Sequence, residues 1–168
     1  MNQPATTNAD MTSSVGAYLT FALADETYGV EILRVREIIG MLPATRLPGS
    51  PAEVLGVVNL RGRVIPVISL RQRFGLPPAE SHPHNVTIVV EDGATRIGLA
   101  VDRVKDVARF ALDDLEAPPS YGMSVDAGFV RAIGKHQGKV SILLDANRVV
   151  SALAAIAAPN ATTSKATP

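Results

Sequence analysis

An internal repeat restricts the possible folds of this chain more than any other feature of its sequence. Residues 28–38 align with residues 97–107, with glycine opposite glycine, arginine opposite arginine and the same apolar spacing. Residues 62–68 align in the same way with residues 138–144. Each half is typical of about five short strands, and a five-stranded sheet of this size tends to close into a small barrel. The repeat therefore predicts two similar barrels that pack an apolar face together.

The central stretch, residues 56–74, is typical of a β-hairpin. β-Branched residues precede and follow a turn at Gly62, which can adopt the positive φ that a tight hairpin requires. Pro66 lies in the second strand, so we expect an edge strand or a bulge where no N–H is needed. Arg61 is held in the turn, where a partner can meet it. The repeat aligns Arg61 with Gln137, so the repeated architecture does not require a cation there.

Composition and charge exclude several classes of protein. The chain has 168 residues, of which 46% are hydrophobic and 19% are charged, as expected for a globular protein. Disulfides and cysteine-based sites are impossible because the chain has no cysteine. A formal net charge of zero argues against nucleic-acid binding. The N-terminus does not resemble a signal peptide, and no apolar run is long enough to span a bilayer, so we expect a cytoplasmic protein.

The order of apolar and polar segments predicts one folded region between two tails. Residues 1–15 and 156–168 are polar, and we expect both to be disordered. Between them, residues 16–155 divide at a proline-rich linker into one subdomain of about residues 17–75 and a second of about residues 86–145. Asp145 is positioned to cap a C-terminal helix that begins at Ala146.

No catalytic or metal-binding pattern emerges, so we expect neither an enzyme nor a cofactor. The common nucleophile and nucleotide-binding motifs are absent. His82 and His84 are possible metal ligands, but their proline-rich loop contains no carboxylate cluster. The one dense basic run lacks the interleaved aromatic residues that single-stranded nucleic acid requires, which favours a solvated strand face. This run consists of Arg61, Arg63, Arg71 and Arg73.

Two motifs resemble the CheW family of chemotaxis coupling proteins. The first is Phe21-x-Leu23 followed by Tyr28-Gly29-Val30-Glu31-Ile32-x-x-Val35-x-Glu37-Ile38. The second is Pro51-x-x-x-x-Gly56-Val57-Val58-Asn59-Leu60-Arg61-Gly62-x-Val64-Ile65-Pro66-Val67-Ile68. The resemblance covers roughly residues 17–155, and Ser69 stands where the family usually has Asp. It implies a mainly β fold of two five-stranded SH3-like barrels with short helices and a C-terminal helix.

The resemblance also implies a function and a set of contact residues. A member of this family is a non-enzymatic adaptor that links the cytoplasmic tip of a methyl-accepting chemoreceptor to a two-component histidine kinase. It is recruited to membrane-bound receptor arrays without inserting into the membrane. Val35 would supply apolar contact, Glu37 and Arg61 charge pairing, and Gly56 close backbone approach. The implied partner-binding residues are Val35, Glu37, Gly56, Asn59, Arg61 and Gly62.

Alternatives remain open from the sequence. An adaptor of the same fold can serve pilus motility or another kinase pathway. A small β-barrel nucleic-acid-binding protein is disfavoured by neutral charge and few aromatic residues. Arg61 itself allows two interpretations, since it either binds a partner or bridges the hairpin to an acid of its own chain.

Overall fold

The computed structural model describes residues 14–80, 82–118 and 127–157. In these ranges there are two α-helices, α1 (Leu70–Arg73) and α2 (Ala146–Ala157), and short 3₁₀ turns at Ile32–Arg34, Leu112–Asp114 and Ala127–Phe129. The strands are β1 (Ser14–Leu23), β2 (Glu26–Glu31), β3 (Val35–Gly40), β4 (Val54–Leu60), β5 (Arg63–Ser69), β6 (Val86–Asp92), β7 (Thr95–Val101), β8 (Arg103–Ala111), β9 (Leu115–Glu116), β10 (Val130–His136) and β11 (Lys139–Leu144).

The strands form two sheets, and the mainly β prediction with a C-terminal helix is confirmed. Sheet A has six strands in the order β8-β1-β2-β11-β10-β9, and sheet B has five in the order β3-β6-β7-β5-β4. Two tails were predicted to be disordered, and most of their length, residues 1–13 and 158–168, lies outside the described residues. Their inner ends were wrong by two residues each, since β1 begins at Ser14 and α2 ends at Ala157.

The division of the chain into two consecutive subdomains needs correction. Sheet B contains only strands between Val35 and Val101, whereas sheet A combines the first two strands with the last four. The chain therefore leaves sheet A at the 3₁₀ turn Ile32–Arg34 and returns at the β7–β8 junction. The boundary predicted at the proline-rich linker fails because β6 and β7, which follow that linker, complete sheet B by pairing with β3 and β5.

The two sheets repeat one another down to individual registers. A parallel pair sets Leu143 opposite Gly29 in sheet A, and the equivalent pair sets Val67 opposite Gly98 in sheet B. A Cβ on either glycine would collide with a neighbour, at 2.9 Å from Leu143 Cδ2 for Gly29 and 2.7 Å from Thr87 Cγ2 for Gly98. The repeated glycines thus leave room for side chains of the neighbouring strands, Leu143 of β11 in sheet A and Thr87 of β6 in sheet B, which explains their spacing without any functional role.

One continuous hydrophobic core joins the two sheets. It contains Phe21, Tyr28 and Leu144 from sheet A, Ile88 and Leu99 from sheet B, and further residues of α2. The helix α2 buries Val149, Val150 and Leu153 in this core. Burying an aliphatic side chain of this size contributes roughly 1.5–3 kcal/mol, so α2 stabilises the contact between the sheets.

A smaller cluster occupies the opposite face of each sheet, because successive side chains of a strand point to opposite faces. In sheet B this cluster contains Val58, Ile65, Val67, Val89 and Ala100. In sheet A it contains Tyr18, Phe110 and Leu143. Each sheet therefore packs on both faces, as expected for a small curled sheet.

Pro66 lies in a central strand, so the expectation of an edge strand was wrong. It stands opposite Val57 of β4, and both the N–H and the C=O of Val57 bond to Thr45, each at 2.9 Å. The register pairs with β7 begin only at Val67. On the β4 side residue 66 needs no N–H, because Val57 directs both of its backbone groups to Thr45.

Candidate functional site

The β4–β5 turn is a tight two-residue hairpin whose shape is fixed by its own residues. Arg61 and Gly62 both have positive φ, 53° and 83°, the combination that a type I′ turn requires. The carboxamide oxygen of Asn59 accepts a hydrogen bond from the Gly62 N–H at 2.9 Å. Asn59 and Gly62 therefore act on the turn itself, and they hold the Arg61 side chain at its tip.

Arg61 and Glu37, two of the predicted site residues, form an ion pair. The Nη1 of Arg61 lies 2.5 Å from Oε1 of Glu37, with the arginine side chain 73% exposed and the glutamate side chain 25% exposed. Glu37 is in β3 and Arg61 follows β4, and these strands lie at opposite edges of sheet B. The pair therefore joins the two edges of the sheet, while most of the Arg61 side chain remains open to solvent.

The remaining two predicted residues contact the chain itself. Val35 is half-buried and packs against the shared core. Gly56 is buried with φ of 141°, and a Cβ there would lie 2.4 Å from the carbonyl oxygen of Thr45. The close backbone approach predicted for Gly56 is thus occupied by the segment that bridges to Val57.

The basic run does not form one solvated strand face, which corrects the interpretation from sequence. Arg63 is exposed and donates to the carbonyl oxygen of Ala94, but Arg71 and Arg73 lie in α1. Arg71 Nη2 lies 3.0 Å from Oδ2 of Asp102, and Arg73 Nη1 lies 3.3 Å from Oε2 of Glu53. The helix turns these two arginines toward acids of their own chain.

The ion pair between Arg71 and Asp102 changes the pKa of the aspartate. Partial burial by itself would raise the pKa of Asp102, but hydrogen bonds from the Arg71 guanidinium and the Ala24 N–H outweigh it and hold the pKa below its usual value. The Ala24 bond is 2.8 Å long. Asp102 therefore ties α1 to the β1–β2 turn and the β7–β8 junction.

Ser69 caps α1, which explains how it replaces the aspartate usual in the family. Its Oγ accepts a hydrogen bond from the Gln72 N–H at 3.2 Å. Its repeat counterpart, Asp145, accepts the equivalent bond from the Arg148 N–H at 3.2 Å. Serine and aspartate are both good N-cap residues, so the substitution leaves the local structure intact.

His82 and His84 form a stacked pair rather than a ligand set. Their ring centroids are 4.8 Å apart, and Nδ1 of His82 accepts a hydrogen bond from the backbone N–H of His84 at 3.1 Å. The two histidines line a cleft of about 470 Å³ together with Arg71 and Asp102. In the described ranges no group of three or more His, Asp or Glu side chains is arranged to hold a metal ion.

Sequence reasoning missed several exposed aliphatic side chains at sheet edges. Ile38 of β3 is 44% exposed and its repeat counterpart Val107 of β8 is 54% exposed. Leu33, in the turn between the sheets, is 93% exposed. Ile38 belongs to the recognised motif, but only the strand order shows that its strand is an edge. These side chains give the protein apolar surface that the described residues leave exposed.

Two interlocked sheets, a rigid hairpin with an exposed cation, and apolar edge strands define a protein-binding scaffold. Residues 17–154 match the sequence model of the CheW-like domain. The chain belongs to the CheW family, whose members are non-enzymatic scaffold proteins of chemotaxis. The part of the chain that the structure describes contains no helix long and apolar enough to cross a membrane.

Several relatives are similar over most of their length. The chemotaxis protein CheW of Rhizobium meliloti is 34% identical over 131 residues, which cover 78% of this chain and 84% of that protein. The protein of the same name from Klebsiella aerogenes is 31% identical, with 80% and 81% covered. The crystal structure of the scaffolding protein TtCheW from Thermoanaerobacter tengcongensis superposes with a TM-score of 0.73 at 34% identity, covering 77% of this chain and 88% of that one.

Proposed function

We propose that this protein couples chemoreceptors to a two-component histidine kinase by holding the receptor's cytoplasmic tip and the kinase in one complex. The proposal extends the scaffold role of the family to two particular classes of partner. It also implies recruitment to receptor arrays at the membrane through those partners, without insertion into the bilayer.

The exposed ion pair between Arg61 and Glu37 is the observation that carries this proposal. Because Arg61 sits at the tip of a type I′ turn, its side chain is presented on a rigid support. Most of its surface is solvated, so a partner carboxylate or carbonyl can share the guanidinium without breaking the fold. Arginine suits this role, since its planar group offers several donors in a fixed arrangement.

The exposed aliphatic side chains of the edge strands β3 and β8 favour a helix as the binding partner. A helix that docks in a groove uses aliphatic anchors spaced along one face. Ile38 stands opposite Ile88 and Val107 stands opposite Leu19, and Ile88 and Leu19 are buried in the shared core. Ile38 and Val107 thus extend the core face of both sheets to the surface, and half-buried Val35 adds to it. A receptor tip, as a helical hairpin, fits such a surface.

Direct binding tests the proposal. We expect purified protein to bind both the cytoplasmic fragment of a chemoreceptor and the chemotaxis histidine kinase of its own organism, measured by calorimetry. Arg61→Gln is expected to weaken one of these interactions. Arg148→Gln is the matched control, because Arg148 is also exposed and ion-paired but lies on α2. Failure of the unmodified protein to bind either partner would overturn the proposal.

A further inference from the structure

Residues 82–85 form a tight turn that ends immediately before β6. The N–H of Asn85 donates to the carbonyl oxygen of His82 at 2.9 Å, and the N–H of His82 donates to Oδ1 of Asn85 at 2.8 Å. Pro83 occupies the second position, where its fixed φ suits such a turn. Two reciprocal hydrogen bonds therefore close the 82–85 turn on itself.

Asn85 also fastens this turn to the point where the chain returns from sheet B to sheet A. Its Nδ2 donates to the carbonyl oxygen of Asp102 at 3.0 Å, and Asp102 lies between β7 and β8. His82 and His84 line the cleft of about 470 Å³ beside this junction. The shape of the 82–85 turn therefore sets part of the wall of the cleft.

The ring of His82 supports the turn only while its Nδ1 carries no proton. This Nδ1 accepts the backbone N–H of His84 at 3.1 Å, and a backbone N–H can only donate. Protonation would turn Nδ1 into a second donor that faces the first, so the hydrogen bond would be lost. In the neutral ring the proton must therefore sit on Nε2.

Protonation of both rings adds repulsion to this loss. Their centroids are 4.8 Å apart, with an angle of 19° between the ring planes, and two like charges so close disfavour one another. Charges of both signs surround the pair, so they do not offset the repulsion between the rings. These charges are Glu80 on the same loop, Arg71 of α1, Asp102 and Arg103 at the β7–β8 junction, and Asp25 in the β1–β2 turn, which acts on Arg71.

We infer that the 82–85 turn is a pH-sensitive switch, which keeps its bonds while His82 is neutral and loses them, with its hold on Asp102, when His82 takes up a proton. Histidine changes its charge between about pH 5 and 8, so the switch acts in this interval. The two sheets stay folded, because the bonds that are lost lie outside them. The inference does not depend on which partners the protein binds.

Nuclear magnetic resonance of the full chain between about pH 5 and 7.5 tests the switch. At the upper pH, the ring-nitrogen shifts of His82 should show a bare Nδ1 and a proton on Nε2. On acidification, the protection of the His84 and Asn85 amides from hydrogen exchange should fall about tenfold, which corresponds to about 1.4 kcal/mol. The amide of Ile88 in β6 should keep its protection.

Two variants separate the titration of His82 from other effects of pH. In His82→Asn, the side-chain oxygen can accept the backbone N–H of residue 84 but does not titrate, so protection of the amides at 84 and 85 should be independent of pH. His84→Asn is the matched control, because it removes the second ring and keeps the Nδ1 acceptor. Its amides should still lose protection on acidification.

Four results would overturn the inference. A proton on Nδ1 of His82 at the upper pH would contradict the acceptor role of this atom. Equal protection at both ends of the pH range would show that the turn does not respond. A loss in His82→Asn as large as in the unmodified protein would assign the response to another group. A simultaneous loss at Ile88 would show acid unfolding of sheet B in place of a local switch.

Discussion

Arg61 and Gln137 hold the same left-handed backbone position, with φ of 53° and 54°, in hairpin turns that the repeat makes equivalent. The backbone of the turn therefore does not depend on which of the two side chains it carries. Left-handed geometry is unfavourable for residues other than glycine by about 1–2 kcal/mol, and the described residues adopt it at these two turns and also at Ala24 in the β1–β2 turn. The side chain at that position is free to serve another purpose, and it is a cation in one sheet and an amide in the other.

The first prediction concerns Arg61→Gln, which converts the first turn to the residue of the second. The ion pair with Glu37 is mostly exposed, so its loss should lower the free energy of unfolding by only about 0–1 kcal/mol. A charge-assisted bond to a partner is worth roughly 1.5–3 kcal/mol when water is excluded, so binding should weaken about tenfold or more. Thermal unfolding and calorimetric titration of the same sample measure the two effects. A large fall in Tm with normal binding would show that Arg61 serves the fold alone.

The second prediction concerns the glycines where parallel strands meet. Gly29→Ala and Gly98→Ala each place a Cβ under 3.0 Å from a side-chain carbon, and overpacking of this kind costs about 1–3 kcal/mol. Gly40→Ala is the control, since nothing lies within 4 Å of the position of its Cβ and its φ is not positive. Urea unfolding of the three variants measures the difference. Equal stability of all three would mean that the neighbouring side chains move aside without cost.

The third prediction concerns the hydroxyl of Tyr18. This hydroxyl is buried without a hydrogen-bond partner among the described residues, and burial raises its pKa although Arg131 opposes the rise. Tyr18→Phe removes an unsatisfied polar group and keeps the edge contact with Phe110 at 5.9 Å between ring centroids. Because an unsatisfied buried group costs about 1–3 kcal/mol, Tm should stay the same or rise.

Thr20→Val provides the contrast for this experiment. Its hydroxyl is also buried, but it bonds to Asp106, so its removal should lower Tm. A lower Tm for Tyr18→Phe than for the unmodified protein would mean that the Tyr18 hydroxyl has a partner after all.

The fourth prediction concerns acid stability. The pKa of Asp102 in the folded protein is lowered, so its pair with Arg71 stabilises the fold at pH values above the unfolded pKa of about 3.9. This stabilisation is lost as the pH falls through the folded pKa, because protonation removes the charge. Asp102→Asn should therefore be less stable than the unmodified protein at pH 7 by about 1.5–3 kcal/mol, and the difference should shrink below pH 4. A difference independent of pH, in urea unfolding at several pH values, would rule out the charge as its cause.

The local elements followed from the sequence, whereas the exchange of strands did not. Neighbouring residues determine the turn at Gly62 and the helix that begins at Ala146. The repeat itself shows that Gly29 and Gly98 are equivalent. The parallel pairs β2–β11 and β5–β7 join segments that are far apart in the chain. A repeat is equally consistent with two separate halves and with two halves that exchange strands, so its pattern alone does not decide between them.

The candidate site shows the same division. Val35, Glu37 and Arg61 were recognised individually, but nothing in their spacing showed that Glu37 and Arg61 lie at opposite edges of one curled sheet and meet. Gly56 was recognised as a position of close approach, but the approaching segment is Thr45 of the same chain. Contacts between edges of a sheet depend on its curvature, which the alternation of apolar residues does not encode.

The exchange of strands between sheets sets the order in which the protein can fold as it leaves the ribosome. Sheet B is complete once Val101 has emerged, because all its strands lie between Val35 and Val101. The β1–β2 hairpin is synthesised first, yet β2 must wait for β11, which ends at Leu144. During translation, the β1–β2 hairpin is therefore made before the other strands of the two sheets, yet β2 gains its β11 neighbour only after all of them. Its apolar face, with Phe21 and Tyr28, needs protection from aggregation for that interval.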